Sequence, residues 1–236
     1  EYIKEHGYSR HLYEFKDEYA NMPVDVQKDE KKGLYYVQKE KKRLYFRKST
    51  PAKKIQKYYR ALSMEQDRRS PHHYFNSVKE VTGKVFVDVG CAEGYSSLEI
   101  IEEAKHVYLF EQDEQWLEAI RATFEPWQDK VTIVQKYVND HNSSREQTLD
   151  DFFNNQTNEH LFLKMDIEGA ERHALAGCNN LFQNCQKLDF AICTYHLRDD
   201  EEVISAFLDK HNCTYINQKG FFRHKIRSVV MRGSKK

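Results

Sequence analysis

The sequence lacks a net charge, a long apolar run and a secretion signal. Its 236 residues carry 37 lysines and arginines against 37 aspartates and glutamates, so no global attraction to nucleic acid or to an anionic membrane is expected. No stretch approaches the roughly twenty apolar residues of a membrane-spanning helix, and no signal-peptide pattern opens the chain. We therefore expect a cytoplasmic protein that does not contact membranes. The chain begins with Glu1 rather than Met, as a processed or excised piece of a longer protein would.

Cysteine is scarce and without a paired pattern. The five cysteines are odd in number and lack the short paired spacings of metal sites; they are Cys91, Cys178, Cys185, Cys193 and Cys213. We expect reduced thiols with structural roles and no metal centre built on them. The chain length suits one α/β domain with an extension, and it is sufficient to bury a substantial core.

The central motif of the sequence, residues 85–98, has fewer glycines than a dinucleotide-binding loop. Residues 85–98 predict a buried strand, a tight loop and the start of a helix, and Gly90 and Gly94 allow positive φ and close approach of a ligand. Dinucleotide-binding loops have three glycines, and Glu93 would repel a pyrophosphate, so a cationic or zwitterionic ligand fits better. Asp88 should end the strand and face loop donors or a polar ligand, because an unpaired buried carboxylate is costly.

From Lys84 onward, strands and helices alternate. This pattern predicts a doubly wound, mostly parallel twisted sheet with helices on both faces. The second strand ends on Glu111, about twenty residues beyond the glycine loop, where an acidic side chain can accept hydrogen bonds from ribose hydroxyls. A third strand is followed by Val138 and Asn139, which we expect to contact an adenine ring.

Two later strands of the predicted sheet also end in polar side chains. The fourth strand ends in Asp166 and Glu168, and the fifth leads to His196. Because ligands bind at the carboxyl ends of parallel strands, these side chains should project into the same crevice as Asp88. Such a group of acids favours a cation, a sulfonium-bearing zwitterion or sugar hydroxyls.

The first 80 residues form an extension to the main domain, which we place at 81–236. Aromatic runs predict a β-hairpin at about 34–47, and a helix with proline at its start should follow at about 51–64. Residues 1–32 predict short helices or coil. The basic, tyrosine-rich hairpin could stack bases and track phosphates, but a small cap whose lysines guard an exposed edge strand is the simpler interpretation.

Two segments together resemble the FkbM-type methyltransferase family. They are Phe86 to Gly94 and, more specific, Leu163 to Glu171, which runs Leu-Lys-Met-Asp-Ile-Glu-Gly-Ala-Glu. Thr148 to Phe153 is similar to the segment that precedes the second motif in that family, and the resemblance covers about residues 70–232. It implies a class I Rossmann-like methyltransferase fold, S-adenosylmethionine as cofactor and methyl transfer to oxygen, often on sugars or natural products.

The resemblance also implies a set of site residues. The expected cofactor contacts are Asp88, Gly90, Cys91, Glu93, Gly94, Tyr95, Ser96, Glu111, Gln112, Val138, Asn139 and Asp166. The expected catalytic residues are Asp166, Glu168 and His196. His196, at the neighbouring strand end, is our candidate for the base that takes a proton from an alcohol near physiological pH, and Asp166 or Glu168 could orient this histidine or accept the proton instead. Two carboxylates and an imidazole are also a common ligand set for a divalent metal, but we expect no metal.

These assignments predict an S-adenosylmethionine-dependent O-methyltransferase acting on a hydroxyl of a small molecule or a carbohydrate. One alternative is an RNA methyltransferase that uses the basic N-terminal module, although we expect no nucleic-acid partner. The other is an NAD-dependent oxidoreductase on the same sheet, which the missing glycine and Glu93 disfavour. A homo-oligomer is compatible with the sequence.

Overall fold

The N-terminal part of the chain folds into a small antiparallel sheet flanked by helices, in a computed structural model that describes residues 13–154, 159–222 and 225–235. Its elements are α1 (Lys16–Ala20), β1 (Val26–Asp29), β2 (Leu34–Lys39), β3 (Lys42–Tyr45) and α2 (Ala52–Glu65). The hairpin and the longer helix lie close to the predicted positions.

Strand β1 corrects the expectation of helices or coil for residues 1–32, of which 1–12 lie outside the described residues. It pairs antiparallel with β2, with Val26 opposite Val37. Four residues with weak local signal become a strand because the hairpin offers them a free edge. The pairing partner, and not the local sequence, therefore decides this element.

The remaining elements alternate between strands and helices. In chain order they are β4 (Val85–Val89), α3 (Tyr95–Ile100), β5 (His106–Phe110), α4 (Glu114–Phe124), β6 (Val131–Val134), β7 (Tyr137–Val138), β8 (Glu146–Gln147), α5 (Leu149–Phe152), β9 (His160–Met165), α6 (Glu171–Ala176), α7 (Asn179–Asn184), β10 (Lys187–Cys193), α8 (Asp200–Lys210), β11 (Thr214–Phe222) and β12 (Lys225–Lys235). Short 3₁₀ helices occupy Val78–Val81 and Glu125–Trp127.

Seven of these strands form one sheet in the order β11-β12-β10-β9-β4-β5-β6. Strands β6, β5, β4, β9 and β10 are parallel, whereas β12 runs antiparallel to both of its neighbours. This arrangement confirms the predicted Rossmann-like fold. Strands β5 and β6 follow on one side of β4, whereas β9 and β10 follow on its other side, so the strand order reverses between β4 and β9. In open α/β sheets, ligands bind at such a switch point.

Successive side chains along each strand point to opposite faces of the large sheet, and both faces are covered by packed elements. Phe86 of β4 packs on one face in a hydrophobic cluster that also contains Leu44 and Ile55 of the N-terminal part. Val87 packs on the opposite face with Phe182 of α7. The division of the chain at residue 80 stays a prediction, and buried side chains from both sides of it share one core.

Some element bounds differ from the sequence-based expectations. Helix α3 ends at Ile100 rather than near residue 104, and the last two strands extend beyond the expected 213–217 and 225–232. These strands pair with each other from Thr214 to Phe222, so each lengthens the other. Among the described residues, the helices are all too short or too polar to cross a bilayer.

Candidate active site

The loop between β4 and α3 is tightly packed at both of its glycines. Gly90 has φ +78° and Gly94 has φ +80°, a conformation that residues with side chains rarely adopt. A Cβ on Gly90 would lie 2.1 Å from the carbonyl O of Asp166, and one on Gly94 would lie 2.7 Å from the ring of Phe124. Conformation and space therefore both require glycine, and the loop lies directly against the end of β9.

The described contacts of Asp88 are with side chains and not with loop N–H groups, whereas its expected contact with a polar ligand stays a prediction. Its carboxylate is 1% exposed, lies 2.8 Å from Lys164 Nζ and accepts a 2.6 Å hydrogen bond from Ser97 Oγ. Lys164 also donates to the carbonyl O of Gly90 at 2.7 Å. Burial opposes the charge of Lys164, but the neighbouring carboxylate outweighs it and raises the pKa of Lys164. The counter-ion comes from β9, where Lys164 stands directly opposite Asp88.

Glu93 connects the loop to the N-terminal part of the chain. Its side chain is buried and accepts a 2.8 Å hydrogen bond from Tyr58 Oη on α2. Burial raises the pKa of Glu93 to about 7. The ring of Tyr58 stacks 6.4 Å from that of Trp116, and the Arg47 guanidinium lies 4.0 Å from the Trp116 ring centre. The N-terminal part therefore reaches both the loop and helix α4.

Glu111 supports the loop from the end of the neighbouring strand. One of its carboxylate oxygens accepts from the N–H of Ala92 at 3.0 Å, and the other accepts from the N–H of Asp113 at 2.8 Å. Ala92 has φ +47°, so this hydrogen bond holds a backbone conformation that is strained for a residue with a side chain. The assignment of Glu111 to a ribose stays a prediction.

A cavity of about 740 Å³ opens at the carboxyl ends of β4, β5 and β9. Its volume lies within the range of small-molecule and cofactor sites. The predicted site residues that border it are Asp88, Gly90, Cys91, Glu93, Tyr95, Ser96, Glu111, Gln112, Val138, Asp166 and Glu168. Part of its wall comes from residues that sequence reasoning did not assign: Tyr58, Leu62, Glu65, Gln66, Tyr74, Lys164 and Tyr195.

Three predicted residues do not border this cavity. Gly94 is covered by Phe124. Asn139 follows Val138, but its side-chain amide donates to Glu146 at 2.7 Å, and that contact directs it to the β7–β8 pair. His196 contacts the cavity indirectly, through the carboxylates described next.

Asp166, Glu168 and His196 lie together, as their positions at adjacent strand ends predict. The Nε2 atom of His196 is 3.5 Å from Asp166 Oδ1 and 3.6 Å from Glu168 Oε2. The His196 side chain is only 8% exposed, and Nε2 has no hydrogen-bond partner among the described residues. Tyr74 Oη donates to the other oxygen of Asp166 at 2.6 Å. A buried ring nitrogen without a hydrogen-bond partner in the described part of the chain therefore faces two carboxylates beside the cavity.

A fourth side chain, Glu171, completes this cluster on the far side of the imidazole. Its Oε1 lies 2.8 Å from Nδ1 of His196. Burial opposes a charge on the ring, but the hydrogen bond to Glu171 and the charges of Asp166 and Glu168 prevail, and the pKa of His196 is raised. Glu168 has φ +56°, which marks a strained turn at the site.

The residues that could bind a metal ion differ at one position from Asp166, Glu168 and His196, the set that the sequence suggested. Within the described chain, potential ligand atoms of Asp166, Glu171 and His196 lie within 4.8 Å of one another, so Glu171 takes the place of Glu168. Both oxygens of Glu171 already accept backbone hydrogen bonds, from the N–H groups of Ile167 and Gly169. The expectation of a site without metal stays a prediction.

The N-terminal hairpin uses several of its positive charges within the molecule. Lys39 pairs with Glu99, and Lys42 donates to the carbonyl O of Leu98 at 2.8 Å. Leu44 is completely buried. These contacts fit a cap that packs on the sheet, and the absence of a nucleic-acid partner stays a prediction.

The parallel sheet, the glycine loop after β4 and the acidic residue at the tip of β5 define the class of the fold as Rossmann-like, which nucleotide-binding enzymes share. The model of the methyltransferase FkbM domain matches residues 71–216. The chain therefore belongs to the FkbM methyltransferase domain family. This membership confirms the predicted enzyme class and its methyl donor, S-adenosylmethionine.

Solved structures show the same fold at low sequence identity. The methyltransferase FkbM from Methylobacillus flagellatus KT is 19% identical with a TM-score of 0.50, over 74% of this chain and 54% of its own, so the chain spans about half of that protein. Magnesium protoporphyrin IX methyltransferase from Synechocystis PCC 6803, solved with S-adenosylmethionine bound, is 13% identical with a TM-score of 0.50, over 80% and 86%. A tRNA methyltransferase from M. jannaschii is 14% identical with a TM-score of 0.50, over 86% and 57%. A search of curated proteins found no match.

Proposed function

We propose that the protein transfers the methyl group of S-adenosylmethionine to a hydroxyl of a small molecule or a carbohydrate. The observation that carries this proposal is the buried Nε2 atom of His196, which has no hydrogen-bond partner among the residues that the structure describes and lies 3.5 Å from Asp166 Oδ1. An imidazole nitrogen with a free lone pair can take the proton that an alcohol loses on methylation, an effect of about 10² to 10⁴ in rate.

The residues of the loop end of the cavity fit the methyl donor. S-Adenosylmethionine supplies an electrophilic methyl group on a sulfonium centre. Gly90 borders the cavity and can contact the methionine part, Glu111 can accept from its ribose, and Val138 offers an apolar surface to its adenine. A carboxyl with a pKa of about 7, that of Glu93, suits a cationic ligand better than a pyrophosphate.

The opposite end of the cavity fits an acceptor with a ring. Tyr74 and Tyr195 border it together with Leu62, and such aromatic and apolar side chains pack well against ring faces. An acceptor hydroxyl between Asp166 and Glu168 would meet His196 Nε2. Holding that hydroxyl in line with the methyl group supplies much of the acceleration.

The choice of a small acceptor is supported by the hairpin contacts, because Lys39 and Lys42 are engaged by the protein itself. The fold alone does not favour either acceptor, since its structural neighbours include a porphyrin methyltransferase and a tRNA methyltransferase. The low net charge of the chain also favours a small molecule over RNA.

The proposal can be tested by incubating the full chain with S-adenosylmethionine and a panel of acceptors: methyl glycosides, catechol and a tRNA transcript. We expect S-adenosylhomocysteine to form with a hydroxylated small molecule, and His196→Ala to lower that rate at least a hundredfold while calorimetric affinity for S-adenosylhomocysteine is kept. His160→Ala is the matched control, because this histidine lies at the amino end of β9, whereas the cavity lies at the carboxyl ends of the strands. Turnover with the transcript alone, or an unchanged rate in His196→Ala, would contradict the proposal.

A further inference from the structure

The geometry points to Glu171 as a positioning residue that fixes which nitrogen of His196 carries the proton. This inference rests on the proposed role of His196 as a base. Glu171 begins α6 with a side chain that is completely buried, and its Oε1 lies 2.8 Å from His196 Nδ1. The sequence-based predictions did not assign Glu171 to the site.

The contacts of Glu171 indicate a carboxylate that only accepts. Its Oε1 accepts from the N–H of Ile167 at 2.9 Å, and its Oε2 accepts from the N–H of Gly169 at 3.0 Å. With these donors around it, the hydrogen bond to His196 requires the ring to donate as well. In the neutral ring, Nδ1 therefore carries the hydrogen, and Nε2 keeps its lone pair.

The surroundings of Nε2 show why the position of the ring hydrogen has to be fixed by Glu171. Asp166 Oδ1 and Glu168 Oε2 face Nε2 at 3.5 and 3.6 Å, and the Tyr195 ring packs 4.2 Å from the imidazole. If Glu171 did not bind Nδ1, a neutral ring would place its hydrogen on Nε2, where the other two carboxylates would accept it. An Nε2–H group cannot accept a proton from an alcohol. Glu171 thus selects the tautomer that can act as a base.

The same carboxylate also holds the turn that carries the other acids. Glu168 has φ +56° and Gly169 has φ +105°, and the two N–H groups bound by Glu171 flank this strained turn. A purely structural reading would assign Glu171 to the turn alone. That reading and the positioning role differ in what they predict for the ring of His196.

Glu171→Gln separates the two roles. With its amide oxygen in the place of Oε2, Gln still accepts from the N–H of Gly169, and its NH₂ group faces Nδ1, donates to it and moves the ring hydrogen to Nε2. The N–H of Ile167, which shares Oε1 with His196, loses its acceptor in this variant. We expect a folded variant whose calorimetric affinity for S-adenosylhomocysteine changes less than about twofold. Its kcat with the acceptor that turns over in the unmodified enzyme should fall by about 10² to 10⁴. Glu171→Asp, which keeps a group that only accepts, should retain more activity than Glu171→Gln. A folded Glu171→Gln variant with full kcat would overturn the inference.

A measurement on the unmodified protein decides the matter without any variant or acceptor. Nitrogen-15 chemical shifts of His196, recorded at a pH where the ring is neutral, should show a protonated Nδ1 and an unprotonated Nε2. A protonated Nε2 would refute the role of Glu171 even if Glu171→Gln failed to fold. If the predicted tautomer is found but His196→Ala keeps its full rate, the proposed base role fails and the assignment of Glu171 to the tautomer stands.

A second carboxylate–histidine pair provides the matched control. Asp189 Oδ2 lies 2.7 Å from His160 Nε2, between β9 and β10 at the amino end of β9. Asp189→Asn removes the same kind of contact far from the cavity. We expect it to leave both kcat and the tautomer of His196 unchanged. A comparable loss of kcat in Asp189→Asn would show that the effect of Glu171→Gln is not specific.

Discussion

Replacing Glu93 with Gln should change how the stability of the fold depends on pH. The side chain is 3% exposed, and burial raises its pKa from an ordinary 4.5 to about 7. The folded state therefore binds this proton more tightly than the unfolded chain does. Glu93 favours folding most at pH below 4.5 and progressively less as the pH rises. Above about pH 7 the group is ionised in both states, and the whole cost of burying its charge remains.

The size of this effect follows from the rise in pKa. A rise from 4.5 to about 7 corresponds to about 3 kcal/mol of stability at alkaline pH, at about 1.4 kcal/mol for each pH unit. Part of that loss occurs below pH 5, so about 2–3 kcal/mol falls between pH 5 and pH 8. For a chain of this length, such a change is about 5–10 °C in Tm. Gln cannot ionise and keeps an oxygen that can accept from Tyr58.

The assay is chemical and thermal unfolding of the unmodified protein, Glu93→Gln and Glu118→Gln at pH 5 and pH 8. Glu118 is an exposed glutamate on α4, and its replacement controls for the loss of one carboxyl group. The difference in unfolding free energy between the two pH values should shrink by about 2–3 kcal/mol in Glu93→Gln and stay unchanged in Glu118→Gln. If Glu93→Gln shows the same difference as the unmodified protein, Glu93 does not have the raised pKa.

Three further predictions concern the site and its supports. Methyl transfer should rise with pH through a midpoint above 6.5, because the pKa of His196 is raised and only the neutral ring accepts a proton; a flat rate profile between pH 6 and pH 8 would contradict this. Gly90→Ala should abolish calorimetric binding of S-adenosylhomocysteine, since its Cβ would lie 2.1 Å from the carbonyl O of Asp166; normal affinity would show that the loop can relax. Lys164→Met should cost about 3–5 kcal/mol in urea unfolding because it leaves Asp88 buried and unpaired. Asp88→Asn in the same chain should recover part of that loss, and no recovery would mean that the pair is not the cause.

The sheet and its strand ends could be predicted from the sequence because the signal is local. Strand β4 is an apolar run interrupted only by Asp88 that stops at Gly90. Helix α4 begins at Glu114, directly after Asp113, whose side chain caps it by accepting from the N–H of Gln115. Such boundaries are set by residues within the element itself. Strand β1 could not be predicted, since its pairing of Val26 with Val37 depends on a neighbour that only the folded chain provides.

The candidate site was predictable to the extent that its residues follow strands. Asp166 and His196 could be placed together because parallel strands end at one edge. Tyr58 and Tyr74 could not, because tertiary packing brings them to the cavity from the N-terminal part of the chain. Lys164 did leave a signal: a lysine inside an apolar strand needs a buried counter-ion. That argument, applied to the neighbouring strand, would have found Asp88.

The balance of charge around the cavity connects the fold to the proposed chemistry. Seven acidic and four basic residues border it, and the acid at the end of β4, Asp88, is already neutralised by Lys164. The remaining surplus is negative, and it includes Glu111, Asp166 and Glu168. A cationic sulfonium donor should therefore bind more favourably than its neutral product, because the attraction weakens when the positive charge is lost. We infer that methyl transfer itself promotes release of S-adenosylhomocysteine, while the acids that His196 contacts remain in place for the next acceptor.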